Sequence, residues 1–215
     1  MDPLAVCYYY EGGTPREFME ENKLNSQERL RLLVGIAEGV AHIHRNSIVH
    51  GDLKGDNIVI EISHEGTIPK VTDFGSSRLA CLGCKYKHIN QQVGTFQWIS
   101  PEVRQGDSGW TTRSDIWAAG CVILEVQFNT IPYTRRGEVP CLMNTFRKQR
   151  ANELPATRGD FEPLLSLDGV AEAVWNVIGY CWELDPDKRP SAEELVICLR
   201  QAYSNQDLLR GGIPR

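Results

Sequence analysis

Apolar residues recur at helical spacing in the first fifth of the chain. Between Asn25 and Arg45 they stand three or four positions apart, at Leu30, Leu33, Val34, Ala37, Val40 and Ala41, and His44 continues the stripe. This spacing predicts a long helix with one buried face. A short helix to about Glu21 is predicted before it, because Thr14 can cap the first turn and Pro15 suits the first helical position.

Short apolar runs bounded by turn residues predict a few strands. Residues 4–10 are apolar and aromatic and end at two glycines, which predicts a strand followed by a turn. The runs 58–62 and 70–72 predict two further short strands, joined by the turn-rich residues 63–69. From 73 to 101 the chain has little periodicity and many Gly, Ser, Cys and Gln residues, so a long ordered loop is expected there.

The second half of the chain is predicted to be helical. Helices are expected at about 113–128, 138–149, 170–181 and 191–203. The run from Ile116 to Leu124 is apolar nearly all round, which predicts a helix at the centre of the core, with Trp117 buried. The fold class expected from these elements is mainly α, with a small β-hairpin.

The composition is that of a globular protein. Of the 215 residues, 41% are apolar and 24% charged, enough for one large domain or two small ones. The net charge of −5 argues against nucleic acid or an acidic membrane surface as a partner. We find no secretory signal and no apolar run long enough to cross a bilayer. Seven scattered cysteines then favour reduced thiols in a cytosolic or nuclear protein.

Four polar residues have the chemistry of phosphoryl transfer. Asp52, Lys54 and Asn57 lie between two apolar runs, and Asp73 follows the second predicted strand of the hairpin. Phosphoryl transfer needs a carboxylate to orient and deprotonate the nucleophile, and positive charge where negative charge develops. It also needs hard oxygen ligands such as Asn57 and Asp73 can offer to Mg²⁺. Each residue alone is weak evidence, but the ordered set is specific.

Five segments together resemble the eukaryotic protein kinase family, over about residues 6–203. They read HGDLKGDN at 50–57, DFG at 73–75, GTFQWISPE at 94–102, SDIWAAGCVILE at 114–125 and CWELDPDKRPSAEEL at 181–195. The last segment is most similar to the tyrosine-kinase-like branch of Ser/Thr kinases. The resemblance implies the C-terminal lobe of a kinase, with the hairpin at the catalytic cleft.

The resemblance assigns a role to each polar residue. Asp52 would be the catalytic base for the substrate hydroxyl, and Lys54 would steady the γ-phosphate, as in Ser/Thr kinases. Asn57 and Asp73 would hold Mg²⁺. The implied activity is transfer of the ATP γ-phosphate to a Ser or Thr hydroxyl of a protein substrate.

The resemblance also implies residues that hold the site together. Thr95 would tie the activation segment to the catalytic loop, and Asp115 would bind the backbone of that loop from the helix beneath. Glu102 and Arg189 would form a buried ion pair that anchors the end of the activation segment.

The start of the chain resembles the last strand of the kinase N-terminal lobe and the hinge. ATP would contact the hinge residues Tyr9, Tyr10, Glu11 and Gly12 as well as Lys54, Asn57 and Asp73. The expected division is a remnant strand and hinge at 1–13, the C-terminal lobe at 14–203 and a tail at 204–215.

The family places a Gly-rich phosphate loop and a strand lysine upstream of the hinge. The 215 residues contain no G-x-G-x-x-G motif and no Lys before Lys23. The alternative to an active kinase is therefore a truncated, catalytically weak kinase-like binding or regulatory module. A full-length kinase, or a partner that supplies the N-terminal lobe, would complete the site.

Two positions depart from the family pattern. Gly51 replaces the Arg that meets an activation-loop phosphate, so a phosphate switch of that kind is not expected. Ser100 replaces Ala in the A-P-E motif, a mild change.

Several other interpretations remain beside the kinase hypothesis. Small-molecule phosphotransferases also use an H-G-D loop, but without the other segments found here. Cys81, Cys84 and His88 have a spacing that could suggest zinc, yet no second Cys pair follows. His50 is expected to be a packing residue of the loop. Ser76, Ser77 and Thr95 are candidate phosphorylation sites, but they are equally well explained as ordinary polar residues of a loop. Arg78, Lys85 and Lys87 suit a solvated face.

Overall fold

The chain folds into a mostly helical structure, which confirms the mainly α expectation. The computed structural model describes residues 8–64, 66–79, 95–135 and 138–210, with the backbone alone from 204 to 210. The described helices are α1 (Pro15–Asn22), α2 (Ser26–Arg45), α3 (Pro101–Gln105), α4 (Thr112–Phe128), α5 (Leu142–Arg150), α6 (Glu162–Leu165), α7 (Gly169–Cys181) and α8 (Ala192–Arg210). The strands are β1 (Ile48–Val49), β2 (Ile58–Ser63), β3 (Gly66–Val71) and β4 (Arg78–Leu79).

The first two helices begin where their caps predict. The Thr14 side chain accepts a hydrogen bond from the Glu17 N–H, and the Glu17 carboxylate accepts one from the Thr14 N–H. Asn25 and Glu28 form the same reciprocal pair at the start of α2. Such a box satisfies N–H groups that have no partner inside the helix, so both starts are fixed by neighbouring residues.

Helix α4 is the centre of the core, as its apolar run predicts. It packs against α2 and α7, and α8 also packs against both of these helices. Trp117 and Leu124 are fully buried. A helix surrounded in this way needs no polar face, which is why its apolar residues show no one-sided pattern. Among the described residues, no helix is both long and apolar enough to span a membrane.

The two predicted strands form the expected antiparallel hairpin. β2 pairs with β3 in a register that places Ile58 opposite Val71 and Ser63 opposite Gly66. The second strand therefore begins earlier than the apolar run 70–72 suggests, because backbone pairing extends through Thr67 and Ile68. Ile58 and Ile60 are buried, whereas Ile62, near the turn, is 60% exposed.

Sequence patterns missed a second pair of strands. β1 and β4 pair antiparallel, with Ile48 opposite Leu79 and Val49 opposite Arg78. Each strand has two residues, too few to show any alternation. The predicted loop 73–101 therefore contains β4, and among its described residues there are also two single 3₁₀ turns, at Phe74–Ser76 and Phe96–Trp98.

The fifth helix begins later than predicted. Residues 138–141 are not helical and α5 starts at Leu142. Pro140 accounts for part of the difference, because the residue before a proline, here Val139, is disfavoured in the helical region. Cys141 is also extended and forms the N-cap of α5. The eighth helix instead runs past the predicted end at 203, to Arg210.

The predicted strand at residues 4–10 lies mainly outside the described residues. Tyr8, Tyr9 and Tyr10, which are described, are not in a strand. The side chains of Tyr8 and Tyr9 are 81% and 82% exposed.

Candidate active site

A buried carboxylate on α4 fixes the start of the loop between β1 and β2, the catalytic loop (residues 50–57). Asp115 Oδ2 accepts a hydrogen bond from the His50 N–H at 2.8 Å, and Asp115 Oδ1 accepts one from the Gly51 N–H at 3.0 Å. His44 Nε2, from α2, lies 2.9 Å from Asp115 Oδ2. Asp115 is 1% exposed. The core helix thus binds the loop backbone directly, as the family resemblance implies.

His50 and Gly51 both adopt structural roles. The His50 ring is fully buried, lies 2.9 Å from the Thr72 carbonyl oxygen through Nε2, and accepts from the Asp52 N–H through Nδ1. Gly51 has a φ of +79°, and a Cβ there would lie 3.0 Å from the Ser76 carbonyl oxygen. This backbone conformation disfavours residues with a side chain. His50 is a packing residue, in agreement with the prediction.

The Asp52 carboxylate is held by four donors. Oδ1 accepts from the Thr95 N–H at 2.9 Å and from the Thr95 hydroxyl at 3.2 Å. Oδ2 accepts from Lys54 Nζ at 3.2 Å and from Asn57 Nδ2 at 3.3 Å. The carboxylate therefore has a fixed orientation at the surface of the loop.

Lys54 connects Asp52 to the segment before α3. Its Nζ donates to the Thr95 hydroxyl at 2.7 Å as well as to Asp52 Oδ2. Because the side chains of Lys54 and Asp52 are only 19% and 14% exposed, this pair is better shielded from solvent than a surface ion pair. The predicted link between Thr95 and the catalytic loop is present.

Asn57 closes the loop and connects it to the hairpin. Its Nδ2 donates to the backbone carbonyl oxygen of Asp52 at 2.7 Å. The backbone carbonyl oxygen of Asn57 accepts a hydrogen bond from the Thr72 N–H at 2.9 Å. The second contact places Asn57 beside the strand end that leads to Asp73. The structure therefore brings the two predicted metal ligands to one edge of the hairpin.

Asp73 occupies an exposed turn with a left-handed backbone. Its φ is 58° and its ψ 71°, and Oδ1 accepts a weak hydrogen bond from the Gly75 N–H at 3.3 Å. In the described part of the chain no protein donor contacts Asp73 Oδ2 or Asn57 Oδ1. Mg²⁺ takes one or two protein oxygens and completes its shell with water and phosphate. These residues fit that requirement.

Gly12 and Gly13, at the predicted hinge, pack on β2. The Gly13 carbonyl oxygen accepts from the Ile60 N–H at 2.8 Å, and the Gly13 N–H donates to the Tyr10 carbonyl oxygen at 3.2 Å. A Cβ on Gly12 would lie 2.5 Å from the Ile60 carbonyl oxygen, so this approach requires glycine. Gly12 thus lies against the hairpin. The contact of Tyr9, Tyr10, Glu11 and Gly12 with adenine stays a prediction.

The predicted ion pair between Glu102 and Arg189 is present. Arg189 Nη1 and Nη2 donate to Glu102 Oε1 and Oε2 at 2.7 and 2.8 Å, and the guanidinium lies 5.1 Å from the centre of the Trp117 ring. Burial acts to raise the pKa of Glu102, but the hydrogen bonds and charge of Arg189 outweigh it and hold that pKa below its usual value. The pair joins α3 to the segment before α8.

Sequence analysis missed Glu125, at the end of the apolar run in α4. Its Oε1 accepts from Trp98 Nε1 at 2.6 Å and from the Gly55 N–H at 3.2 Å. Burial raises the pKa of Glu125 to about 7, against the opposing effect of these hydrogen bonds. The sequence signal was a single acid after nine apolar or small residues, and it did not indicate a partner.

The zinc hypothesis depends on Cys81, Cys84 and His88, which lie outside the described residues. Lys85 and Lys87 lie outside them as well. Where the structure is described, no group of three or more His, Cys, Asp or Glu side chains could hold a metal ion.

Comparison with known sequences connects this site to one family. The profile of the protein kinase domain matches residues 4–198. Human mitogen-activated protein kinase kinase kinase 5 is 34% identical over 75% of this chain and 11% of its own length. The serine/threonine-protein kinase PrkC of Bacillus subtilis is 32% identical over 92% of this chain and 28% of its own length. The serine/threonine-protein kinase shk2 of Schizosaccharomyces pombe is 31% identical over 95% of this chain and 32% of its own length. Among the first relatives compared, the chain spans between 10% and 49% of the relative's length.

Proposed function

The chain belongs to the protein kinase domain family, and on this basis we propose that it transfers the γ-phosphate of ATP to a Ser or Thr hydroxyl of a protein substrate. The observation that carries the proposal is the Asp52 carboxylate, which Thr95, Lys54 and Asn57 hold in one orientation. Most of the catalysis of phosphoryl transfer comes from positioning and electrostatics, so a fixed carboxylate beside a cation suits the reaction.

Each residue has a definite part in the proposed reaction. The substrate hydroxyl oxygen attacks the γ-phosphorus, the bond to the bridging oxygen breaks, and ADP leaves. The hydroxyl proton passes to the Asp52 carboxylate. Lys54 Nζ, 3.2 Å from Asp52 Oδ2, places positive charge beside the attacking group, where the transferring phosphoryl group carries negative charge.

Asn57 and Asp73 are the residues that would hold Mg²⁺. Among the described residues, Asn57 Oδ1 and Asp73 Oδ2 accept no protein hydrogen bond, which supports their use as ligands. When bound, the ion would neutralise charge on the phosphates. The ligands lie at the hairpin edge, next to the proposed base.

The same proposal includes a C-terminal lobe and a hinge. Residues 14–203 would be the C-terminal lobe, and Tyr9, Tyr10, Glu11 and Gly12 the hinge that meets adenine. The contact between Gly13 and Ile60 supports this placement, because it ties the hinge to the hairpin that carries Asn57. A Gly-rich loop and lysine, in a partner or an adjoining segment, would cover the phosphates.

The cysteines support a reducing compartment, the cytosol or nucleus. Those described, Cys121, Cys141, Cys181 and Cys198, are all free thiols. Two of them are buried, and burial raises the pKa of the Cys121 and Cys181 thiols, which leaves them protonated and unreactive.

Phosphate incorporation tests the proposal. The chain is incubated with Mg²⁺, radiolabelled ATP and a mixture of Ser-, Thr- and Tyr-containing peptides, and Asp52→Asn is compared with the wild type. We expect labelling of Ser or Thr peptides that falls by about 10²-fold or more in Asp52→Asn, the contribution of a general base. Asp107→Asn, which changes an exposed Asp after α3, is the matched control and should label normally.

Two outcomes would overturn the proposal. One is the absence of labelling by the wild type, and the other is equal labelling by the wild type and Asp52→Asn. Either would favour a kinase-like binding module instead. Circular dichroism of both variants confirms that they are folded.

A further inference from the structure

Glu125 connects two segments of the site that lie far apart in the sequence. Gly55 belongs to the catalytic loop, 70 positions before Glu125. Trp98 belongs to residues 95–100, here called the pre-α3 segment, 27 positions before Glu125. Both donate to the same acid at the end of α4. The pre-α3 segment also contains Thr95, which contacts Asp52 and Lys54.

The carboxyl group of Glu125 lies close to both of its donors. Both donors meet a single oxygen, Glu125 Oε1, at 2.6 Å from Trp98 Nε1 and 3.2 Å from the Gly55 nitrogen. The other oxygen, Oε2, lies 2.7 Å from the place where a Cβ on residue 55 would be. A side chain at residue 55 would therefore displace the carboxyl group from this position. Trp98 is 7% exposed, so its indole N–H has no ready exchange with solvent.

Helix α4 holds the catalytic loop at both ends. Asp115 binds the N–H groups of His50 and Gly51, and Glu125 binds that of Gly55. The two acids are ten residues apart, or about 15 Å along a helix. Asp52 and Lys54 lie between the two anchored points. A loop fixed at two points on one rigid helix has little freedom to move its side chains.

We propose that Glu125 is a positioning residue of the phosphotransfer site, which holds the catalytic loop and the pre-α3 segment in their relative place. The proposal rests on the proposed function for its effect on the reaction. The Gly55–Glu125–Trp98 contact itself stands on the geometry alone. Its loss would let Thr95 shift relative to Asp52 and Lys54.

The protonation state of Glu125 need not disturb the contact. Burial and the charge of Asp56 raise its pKa, while Trp98, Gly55 and Arg16 lower it, with the net value about 7. The Cys121 thiol, one helical turn earlier, also interacts with it electrostatically. Because Oε1 accepts both hydrogen bonds, Oε2 is left to carry the proton. Glutamine can offer the same acceptor oxygen, and alanine cannot.

Amide hydrogen exchange tests the contact without any measurement of activity. We compare exchange in residues 53–57 and 95–100 of the wild type, Glu125→Ala and Glu125→Gln. We expect exchange about tenfold faster in Glu125→Ala, the effect of leaving a buried N–H without its acceptor, and little change in Glu125→Gln. Glu20→Ala, on the exposed side of α1, is the matched control.

Tryptophan fluorescence provides a second readout of the same contact. The wild type is titrated from pH 5.5 to 8.5, and Trp98→Phe identifies the part of the signal that comes from Trp98. We expect a transition near pH 7 that is absent from Glu125→Gln and from Trp98→Phe. This arm remains informative if Glu125→Ala does not fold.

Kinetics then test the positioning role. For a peptide substrate we expect kcat/KM to fall by about tenfold in Glu125→Ala and to stay within about threefold of the wild type in Glu125→Gln. Equal losses in the two variants would overturn the proposal, as would unchanged exchange in Glu125→Ala. If no form transfers phosphate, the proposed function fails, while exchange and fluorescence still decide whether Glu125 joins the two segments.

Discussion

Asp115 and Glu125 are two acids on one helix that serve the same loop in different electrostatic settings. Asp115 accepts two backbone N–H groups and faces His44. Glu125 accepts two donors on one oxygen and has no described ion-pair partner. Burial without a paired charge disfavours the ionised form, so the pKa of Glu125 rises to about 7.

This raised pKa makes a prediction about stability and pH. In the unfolded chain Glu125 should titrate near its usual value of 4.5, and in the folded chain near 7. Its stabilising contribution is therefore fully present below about pH 4.5 and is lost as pH rises through about 7. Glu125→Gln cannot ionise, so its free energy of unfolding relative to the wild type should increase between these pH values and level off above them.

Urea unfolding at a series of pH values measures this difference. Glu20→Gln, a change at an exposed acid on α1, controls for the removal of one negative charge. A difference between Glu125→Gln and the wild type that stays constant from pH 4.5 to 8 would contradict the prediction.

At the scale of elements, close approach between α4 and α7 depends on one glycine. A Cβ on Gly120 would lie 2.7 Å from Cys181 Cβ and 2.7 Å from Trp182 Nε1. Trp117 and Trp182 have ring centres 6.4 Å apart beside this contact. The helices can be this close only because residue 120 has no side chain.

Gly120→Ala should therefore destabilise the protein although alanine favours helices. We expect a loss of about 1–3 kcal/mol, typical of overpacking in a core, measured by urea unfolding. Gly179→Ala in α7 is the matched control, since a Cβ there has nothing within 4 Å. The control should be neutral or more stable by up to about 1 kcal/mol. A stabilised Gly120→Ala would show that α4 and α7 can separate freely.

At the scale of the whole molecule, the pair of Glu102 and Arg189 joins parts of the chain 87 positions apart. Arg189 also donates to the carbonyl oxygens of Glu183 and Arg113, so one guanidinium holds the residues between α7 and α8 together with α3 and α4. This arrangement fixes the end of the pre-α3 segment and so the position of Thr95. The geometry of the candidate active site therefore depends on the last quarter of the chain.

Loss of one partner in this pair should be costly. Glu102→Gln leaves a buried guanidinium without its counter-charge, and we expect a loss of about 3–5 kcal/mol in the free energy of unfolding. Glu162→Gln is the control, because it removes one acid from the exposed pair with Arg158 and should cost less than about 1 kcal/mol.

The pH dependence gives this prediction a second measurement. Since Arg189 holds the pKa of Glu102 below its usual value of 4.5, the pair stabilises the fold above that value and less as pH falls below it. The wild type should therefore lose more stability than Glu102→Gln on acidification. Parallel losses in both proteins would indicate that the pair contributes little.

The family and the main helices could be predicted because their signals are local. The caps at Thr14 and Asn25 use partners three residues away, and the buried stripe of α2 repeats every three or four residues. The apolar run at Ile116–Leu124 predicted a core helix for the same reason. The order of Asp52, Lys54, Asn57 and Asp73 likewise pointed to phosphoryl transfer before any contact was known.

The remaining features depend on contacts between residues far apart in sequence. The two-residue strands β1 and β4 have no periodicity of their own and exist because Val49 meets Arg78 across the loop. The later start of α5 was partly within reach of sequence analysis, since Pro140 disfavours a helical conformation at Val139.

The sequence by itself determined the family, the longer helices and the kinds of side chain at the site, because neighbouring residues specify each of them. Only the tertiary structure decided through which atoms Thr95, Lys54 and Asn57 contact Asp52, and that Glu125 binds Gly55 and Trp98. The physical reason is that a partly buried acid takes whichever donors the packing of the core places beside it. Those donors lie up to 70 positions away from Glu125, beyond the range of any local pattern.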